Sequence, residues 1–253
     1  MVSKREDGYH NLETIFFPVK LADALEFVEA KKTVLSISGI EVDGDPENNL
    51  ILKAYRLLKK DYQLPELTFH LQKAVPFGAG LGGGSSDAAF TLMALNSYFG
   101  LNISGRQLKI YASQLGADCA FFIDNQPTFA YGIGNQFEAI DLDLSLYKIV
   151  IIKPGCSVRT QEAYRNVSPK KSKFDLRNLG ALPIEEWRAQ IINDFEVSVF
   201  PLFPEIRKIK QTLYDQGAVY ASMSGSGSAV FGIFRHLPAD LANYLPKGIF
   251  IYR

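Results

Sequence analysis

Five glycines fall within the seven residues from Gly78 to Gly84, inside the run Pro76-Phe77-Gly78-Ala79-Gly80-Leu81-Gly82-Gly83-Gly84-Ser85-Ser86-Asp87. In regular structure each glycine costs about 0.5–1 kcal/mol relative to Ala, so such a cluster marks a backbone path closed to side chains. An alternating strand pattern, Leu67-Thr68-Phe69-His70-Leu71-Gln72, leads into the run. A helix pattern with Ala88, Leu92, Leu95 and Phe99 on one side leads out of it. Strand, glycine loop and helix together suit a phosphate. Backbone amides can approach a polyanion closely, and the free N–H groups and dipole of the helix start supply positive potential. Ser85 and Ser86 add hydroxyls that can donate to phosphate or ligate Mg²⁺.

Two common phosphate readers do not fit. The Walker loop needs a lysine that this run lacks. Gly78-x-Gly80-x-x-Gly83 satisfies the dinucleotide pattern, but that site also needs an acidic residue about 20 positions on. Between Asp87 and Asp118 there is no Asp or Glu.

The chain has 253 residues, which is comfortable for two cores, and a soft boundary near residue 145 divides it into 1–145 and 146–253. Lys plus Arg and Asp plus Glu are 27 each, and no basic stripe is present, so a nucleic-acid partner is not expected. Lys170, Lys171 and Lys173 read as a solvated loop. Cys119 and Cys156 lack metal-ligand spacing and suit a reducing compartment. No apolar run is long enough to span a bilayer, and the first ten residues hold no signal-peptide core. The expectation is a cytoplasmic monomer or weak homodimer.

Early strands are expected at Leu25 to Glu29 and Val34 to Ser38, then a turn at Asp43-Gly44-Asp45-Pro46. A helix follows to about Lys60, capped by Asn48 or Asn49, with Leu50, Ile51, Ala54, Leu57 and Leu58 inward. Ser104 and Gln107 form a capping box for a helix ending at Gly116, with Asp118 just beyond. A carboxylate there stands against the field of the helix C-terminus, which favours a functional role. Later elements are a strand from Tyr147, a polar loop from Ser168 to Pro183 and a helix opening at Pro204-Glu205. Strands Ala218 to Met223 and Ala229 to Phe234 then flank Ser224-Gly225-Ser226-Gly227-Ser228. Strands and helices mix without strict alternation, so the fold class is α+β.

Pro76 to Ser86 resembles the second motif of the GHMP kinase superfamily, P-x-x-x-G-L-G-x-x-S-S, and Ser222 to Ser228 resembles its third. Asp7-Gly8-Tyr9-His10, Gly116-Ala117-Asp118-Cys119-Ala120-Phe121-Phe122 and Asn193-Asp194-Phe195-Glu196 resemble three further elements. These are D-G-Y-H, G-A-D-x-P-F-F and N-D-L/F-E of the diphosphocytidyl-methylerythritol kinase branch. The resemblance spans residue 5 to about residue 235. It implies a two-domain GHMP fold: an N-terminal ribosomal protein S5 domain 2-like unit and a C-terminal ferredoxin-like α/β sandwich. It implies ATP and Mg²⁺ as cofactors. The acceptor it implies is a cytidine-diphosphate polyol, phosphorylated on its 2-hydroxyl in the non-mevalonate isoprenoid pathway.

The resemblance implies that Asp118 is catalytic. ATP contacts fall on Asn49, Lys73, Pro76, Gly78, Ala79, Gly80, Leu81, Gly82, Gly83, Gly84, Ser85 and Ser86. Substrate contacts fall on Tyr9, His10, Thr160, Tyr164, Ser224, Gly225, Ser226 and Gly227; no metal ligands are assigned. Ala120 replaces the family proline, and Asn135 a usual glutamate. The family also carries a strand reading A-K-I/L-N-L ahead of D-G-Y-H, whose lysine stands beside the aspartate. Met1 to Glu6 already lie past that point, and Lys4 is too close to Asp7 to replace it. The sequence either begins downstream of that strand or belongs to an impaired homologue that binds nucleotide without turning over well. An open slot, a foreign segment or disordered loops are expected near Asp118, with reduced stability and activity. Another GHMP kinase, for mevalonate or homoserine, is disfavoured by Asp7-Gly8-Tyr9-His10.

Overall fold

The structure, a computed structural model, describes residues 1–42 and 44–253, so Asp43 of the expected turn lies outside it. The chain forms strands β1 (Ser3–Lys4), β2 (His10–Asn11), β3 (Thr14–Phe16), β4 (Ala24–Glu29) and β5 (Val34–Gly39), then helix α1 (Leu50–Asp61). Next come β6 (Leu67–Lys73), α2 (Gly83–Tyr98), α3 (Gly105–Leu115), α4 (Phe121–Asp124), β7 (Thr128–Tyr131) and β8 (Gln136–Ala139). The remainder is β9 (Lys148–Lys153), α5 (Thr160–Tyr164), α6 (Ile184–Gln190), α7 (Glu196–Leu202), α8 (Pro204–Asp215), β10 (Tyr220–Met223), β11 (Val230–Phe234) and β12 (Phe250–Tyr252). This is the expected α+β fold. It divides into two compact units: Phe16–Phe77 with Gly82–Phe137, and Met1–Ile15 with Gly78–Leu81 and Glu138–Arg253.

The first unit is built on a three-stranded sheet with β6 in the centre, antiparallel to β4 and parallel to β5. The alternation seen in the sequence sets its faces. Leu67, Phe69 and Leu71 are buried among Ile51, Leu58, Leu92 and Leu95 of the helices, while Gln72 is exposed. Truncating Phe69 to Ala would cost about 3–5 kcal/mol. Asn49 caps α1, its Oδ1 accepting from Ile51 N at 2.9 Å. The buried stripe of α1 is Ile51, Leu52, Ala54, Tyr55 and Leu58. Leu50 and Leu57, expected inward, are only partly buried, because Tyr55 faces the sheet and packs on Phe69. Ser104 caps α3 by accepting from Gln107 N at 3.2 Å, one half of the expected box. A further sheet runs in the order β3–β7–β8, and Phe16 at the end of β3 packs on Phe121 and Phe137.

The second unit holds a four-stranded antiparallel sheet in the order β10–β11–β9–β12. Helices α5 to α8 lie between its first two strands in sequence, and a short 3₁₀ turn, Leu241–Tyr244, lies between its last two. That is a ferredoxin-like βαββαβ sandwich with its second helix reduced to one turn. Ile206, Ile209 and Leu213 of α8 are buried against Val150, Ala221 and Val230 of the sheet. Trp187 of α6 packs edge-on to Tyr220. Residues Ser3–Lys4 pair with His10–Asn11 in a two-stranded hairpin, which the sequence reading did not anticipate.

Candidate active site

The glycine loop bends as its composition demands. Gly78, Gly80 and Gly82 have φ of +61°, +74° and +70°, a region that L-residues rarely enter. Gly82 is the N-cap of α2, and no side chain caps that end. The first turn of α2 also carries no acidic residue. Among the described residues, no side chain offsets its N–H groups and dipole there.

Each side of the loop is fixed by a different neighbour. A Cβ on Gly80 would fall 2.2 Å from the carbonyl oxygen of Ser224. The Ser224 hydroxyl donates to Gly80 O at 2.7 Å, and Ala229 N donates to Ala79 O at 3.0 Å. The two glycine-rich turns are thus stitched together. On the other side, a Cβ on Gly82 would meet the ring of Phe122 at 2.9 Å.

Asp118 lies between the end of α3 and the start of α4. Cys119 N bonds back to Gly116 O at 3.2 Å, and Phe121 N bonds to Asp118 O at 3.3 Å. Phe122 of α4 therefore ties the segment that carries Asp118 to the loop. The Asp118 side chain is accessible to water, yet surrounding protein raises its carboxyl above the usual carboxylate range. Desolvation is the only cause, and among the described residues no lysine or arginine forms an ion pair with it.

Lys73 stands differently from what a direct adenosine contact requires of its side chain. It is 2% exposed, and its ammonium is paired with Asp23 and, at 2.9 Å, with Asp87. A Cβ on Gly83 would fall 3.1 Å from that ammonium, so Gly83 is small to admit Lys73 and Val75. One lysine serves two carboxylates. For Asp23, burial opposes ionisation but is outweighed by bonds from Lys73, Val75 N and Ala74 N, and its pKa is lowered. For Asp87, burial dominates and lifts its pKa to about 6. Asn49 likewise uses its side chain on its own helix. Pro76 is buried, and Ser85 and Ser86 are half-buried at the start of α2.

Of the residues expected to read cytidine, the structure brings His10 and Tyr164 together. The rings of His10 and Tyr164 are 5.3 Å apart, and Tyr164 meets Phe195 edge-on at 4.8 Å. Tyr9 is 64% exposed, and Thr160 is exposed at the first position of α5. Gly225 and Gly227 take φ of +53° and +91°, and Ser224 and Ser226 are half-buried beside them. Sequence reasoning assigned no role to Asp23, Asp87, Phe122, Asn193 or Phe195. Phe122, Asn193 and Phe195 lay in quoted motifs, but only the fold shows what they touch.

One unit bonds Ala79 and Gly80 to a second glycine turn on a ferredoxin-like sheet, and the other opens a helix at Gly83; both features are those of GHMP kinases. The model for the GHMP kinases N terminal domain matches residues 49–133, and that for GHMP kinases C terminal matches residues 174–248. A 4-diphosphocytidyl-2-C-methyl-D-erythritol kinase of Parabacteroides distasonis is 53% identical over 92% of this chain and 86% of its own length. That of Bacteroides thetaiotaomicron is 55% identical over 92% of this chain and 87% of its own. A crystal structure of a 4-(cytidine 5'-diphospho)-2C-methyl-D-erythritol kinase superposes with a TM-score of 0.78 at 33% identity, covering 92% of this chain and 84% of that one. An L. major mevalonate kinase shares the fold alone, with a TM-score of 0.72 at 16% identity. The chain belongs to the 4-diphosphocytidyl-2-C-methyl-D-erythritol kinase family. Among the described residues no helix is long and apolar enough to cross a membrane.

Proposed function

We propose that this chain transfers the γ-phosphate of ATP to the 2-hydroxyl of 4-diphosphocytidyl-2-C-methyl-D-erythritol, a step of the non-mevalonate route to isoprenoid precursors. Family membership supports the reaction. The observation that carries the residue assignment is the packing of Phe122 against Gly82, which ties the segment bearing Asp118 to the phosphate loop.

Phosphoryl transfer depends on in-line placement and charge neutralisation more than on covalent chemistry. The uncapped start of α2 and the backbone of Gly78 to Ser86 hold the triphosphate. The half-buried hydroxyls of Ser85 and Ser86 suit a hydrated Mg²⁺ carried on the phosphates, which when bound offsets their charge. Asp118 orients the acceptor hydroxyl and takes its proton, a task for which a raised pKa makes it a better base. Tyr9, His10 and Tyr164 read the cytosine by stacking and by hydrogen bonds from the imidazole. Ser224 to Gly227 shape the loop from the sandwich unit. The side chain of Lys73 serves the base of the loop electrostatically, through Asp23 and Asp87.

A second reading is a nucleotide-binding homologue with little turnover. It is favoured by Asp118 having no cationic partner among the described residues, a partner that would lower the barrier to phosphoryl transfer. Coupled ADP release with the diphosphocytidyl polyol, beside mevalonate and homoserine, separates the readings. Polyol-dependent ADP release supports the first. ATP binding without release supports the second, and preference for mevalonate or homoserine would overturn both. CMP should protect the fold against heat more than UMP does.

A further inference from the structure

The segment Asn193-Asp194-Phe195-Glu196 has no task in the reaction as described above, yet its side chains reach both substrate regions of the sandwich unit. Asn193 uses its whole amide. Its Nδ2 donates to Met223 O and to Gly225 O, each at 2.8 Å, while its Oδ1 accepts from Phe195 N at 3.0 Å. Glu196 is buried, and its Oε1 accepts from Met223 N at 3.0 Å and from the Ser222 hydroxyl at 3.2 Å. Its Oε2 takes Lys210 at 2.6 Å. Glu196 therefore anchors the end of β10, and Asn193 alone reaches beyond it into the turn.

That turn has no slack toward the phosphate loop. Ser224 and Ala229 bond the carbonyls of Gly80 and Ala79, and Gly80 has no room for a Cβ. A shift of the Gly225 carbonyl is thus passed to the loop. In the opposite direction the Phe195 ring stands edge-on to Tyr164, which faces His10.

We propose that Asn193 and Phe195 are positioning residues that serve the two substrates separately. Asn193 holds the Ser224–Gly227 turn in the shape that seats Ala79 and Gly80 under the nucleotide phosphates. Phe195 sets the tilt of the Tyr164 ring on which the pyrimidine is read. The identity of the two ligands rests on the proposed function; the separation of the two tasks rests on geometry.

The test uses the full chain with Asn193→Asp, Asn193→Ser and Phe195→Leu. Asn193→Asp keeps the acceptor but sets a carboxylate against two carbonyl oxygens. Affinities for a non-hydrolysable ATP analogue and for CMP are read by calorimetry, with turnover of the polyol alongside. Asn193→Asp should weaken the ATP analogue about tenfold or more and leave CMP within about twofold. Phe195→Leu should weaken CMP about fivefold or more and leave the ATP analogue within about twofold. Asn193→Ser should fall between wild type and Asn193→Asp. Equal losses for both ligands in either variant, or a lowered melting temperature with both affinities intact, would overturn the inference. So would loss of fold in both Asn193 variants, which would make the side chain purely structural. A wild-type chain that binds both nucleotides but ignores the polyol would instead overturn the proposed substrate and leave this inference standing.

Discussion

The ring of Phe122 lies against the backbone of Gly82, so close that a Cβ there would fall 2.9 Å from its Cζ. The contact makes Gly82 a poor place to probe phosphate binding, because any side chain would disturb α4 as well. Gly84 is the clean position. A Cβ there meets only Leu50 Cδ1, at 3.8 Å, and the residue sits in the first turn of α2. Gly84→Asp should keep or slightly raise the melting temperature, since an acidic residue in a first turn is worth about 0.3–1 kcal/mol. The same charge should repel the triphosphate and weaken ATP binding by about a hundredfold. Calorimetry and thermal melting on one sample check both, and unchanged ATP affinity would remove the phosphate from this loop.

Gly80→Ala should behave in the opposite way. The methyl would overlap Ser224 O, at φ of +74°, so fold and ATP binding should fall together. Gly78 has a similar φ but open space around its Cβ, and Gly78→Ala should cost only about 1 kcal/mol. Paired denaturation curves decide whether contact or conformation governs each glycine.

Asp118→Asn should lower kcat by about 10²–10⁴ with little effect on the affinity for ATP. A base must be ionised to work, and desolvation raises the Asp118 carboxyl. In the wild type, kcat/KM should therefore decline on the acid side at a pH above the ordinary carboxylate range. The Asn variant should lack that limb, and an identical profile in both proteins would remove Asp118 from proton transfer.

Asp87→Asn concerns stability. The Asp87 pKa is raised from 3.8 to about 6, so the native state binds the extra proton between those values and stability falls as pH rises through them. That interval corresponds to about 3 kcal/mol. An Asn in its place cannot ionise and still accepts from Lys73. The variant should be the more stable protein near pH 8, and the difference should vanish below pH 4. Asp23, whose pKa is lowered, contributes with the opposite sign in more acidic solution.

The elements legible in the sequence are those long enough to show a period. β6 and the helices α1, α2, α3 and α8 run for seven residues or more, and each lies where its pattern placed it. β1, β2 and β3 span two or three residues, too short for any alternation to register. α7 begins without a side-chain cap and contains Pro201, so no start signal announced it. In the site, the sequence named Gly80 and Ser224, and His10 and Tyr164, and the fold brings each pair together. Missing were groups whose value is purely spatial. Nothing in the spacing of Asp23, Lys73 and Asp87 shows that one ammonium serves both carboxylates.

Ser198 on α7 is the buried polar group without a partner among the described residues. Ser198→Ala removes a hydroxyl that desolvation penalises and should stabilise the chain by about 1 kcal/mol. A fall in the denaturation midpoint would mean that the hydroxyl has a partner in solution.

The sandwich unit takes in residues Gly78–Leu81, far ahead in sequence of the strands that complete it. At a ribosome adding about 5–20 residues per second, the carbonyls of Ala79 and Gly80 emerge many seconds before Ser224 and Ala229 exist to meet them. Nascent chains therefore expose an unlatched glycine loop for most of their synthesis. Premature termination anywhere before residue 229 should leave the glycine loop without its full latch.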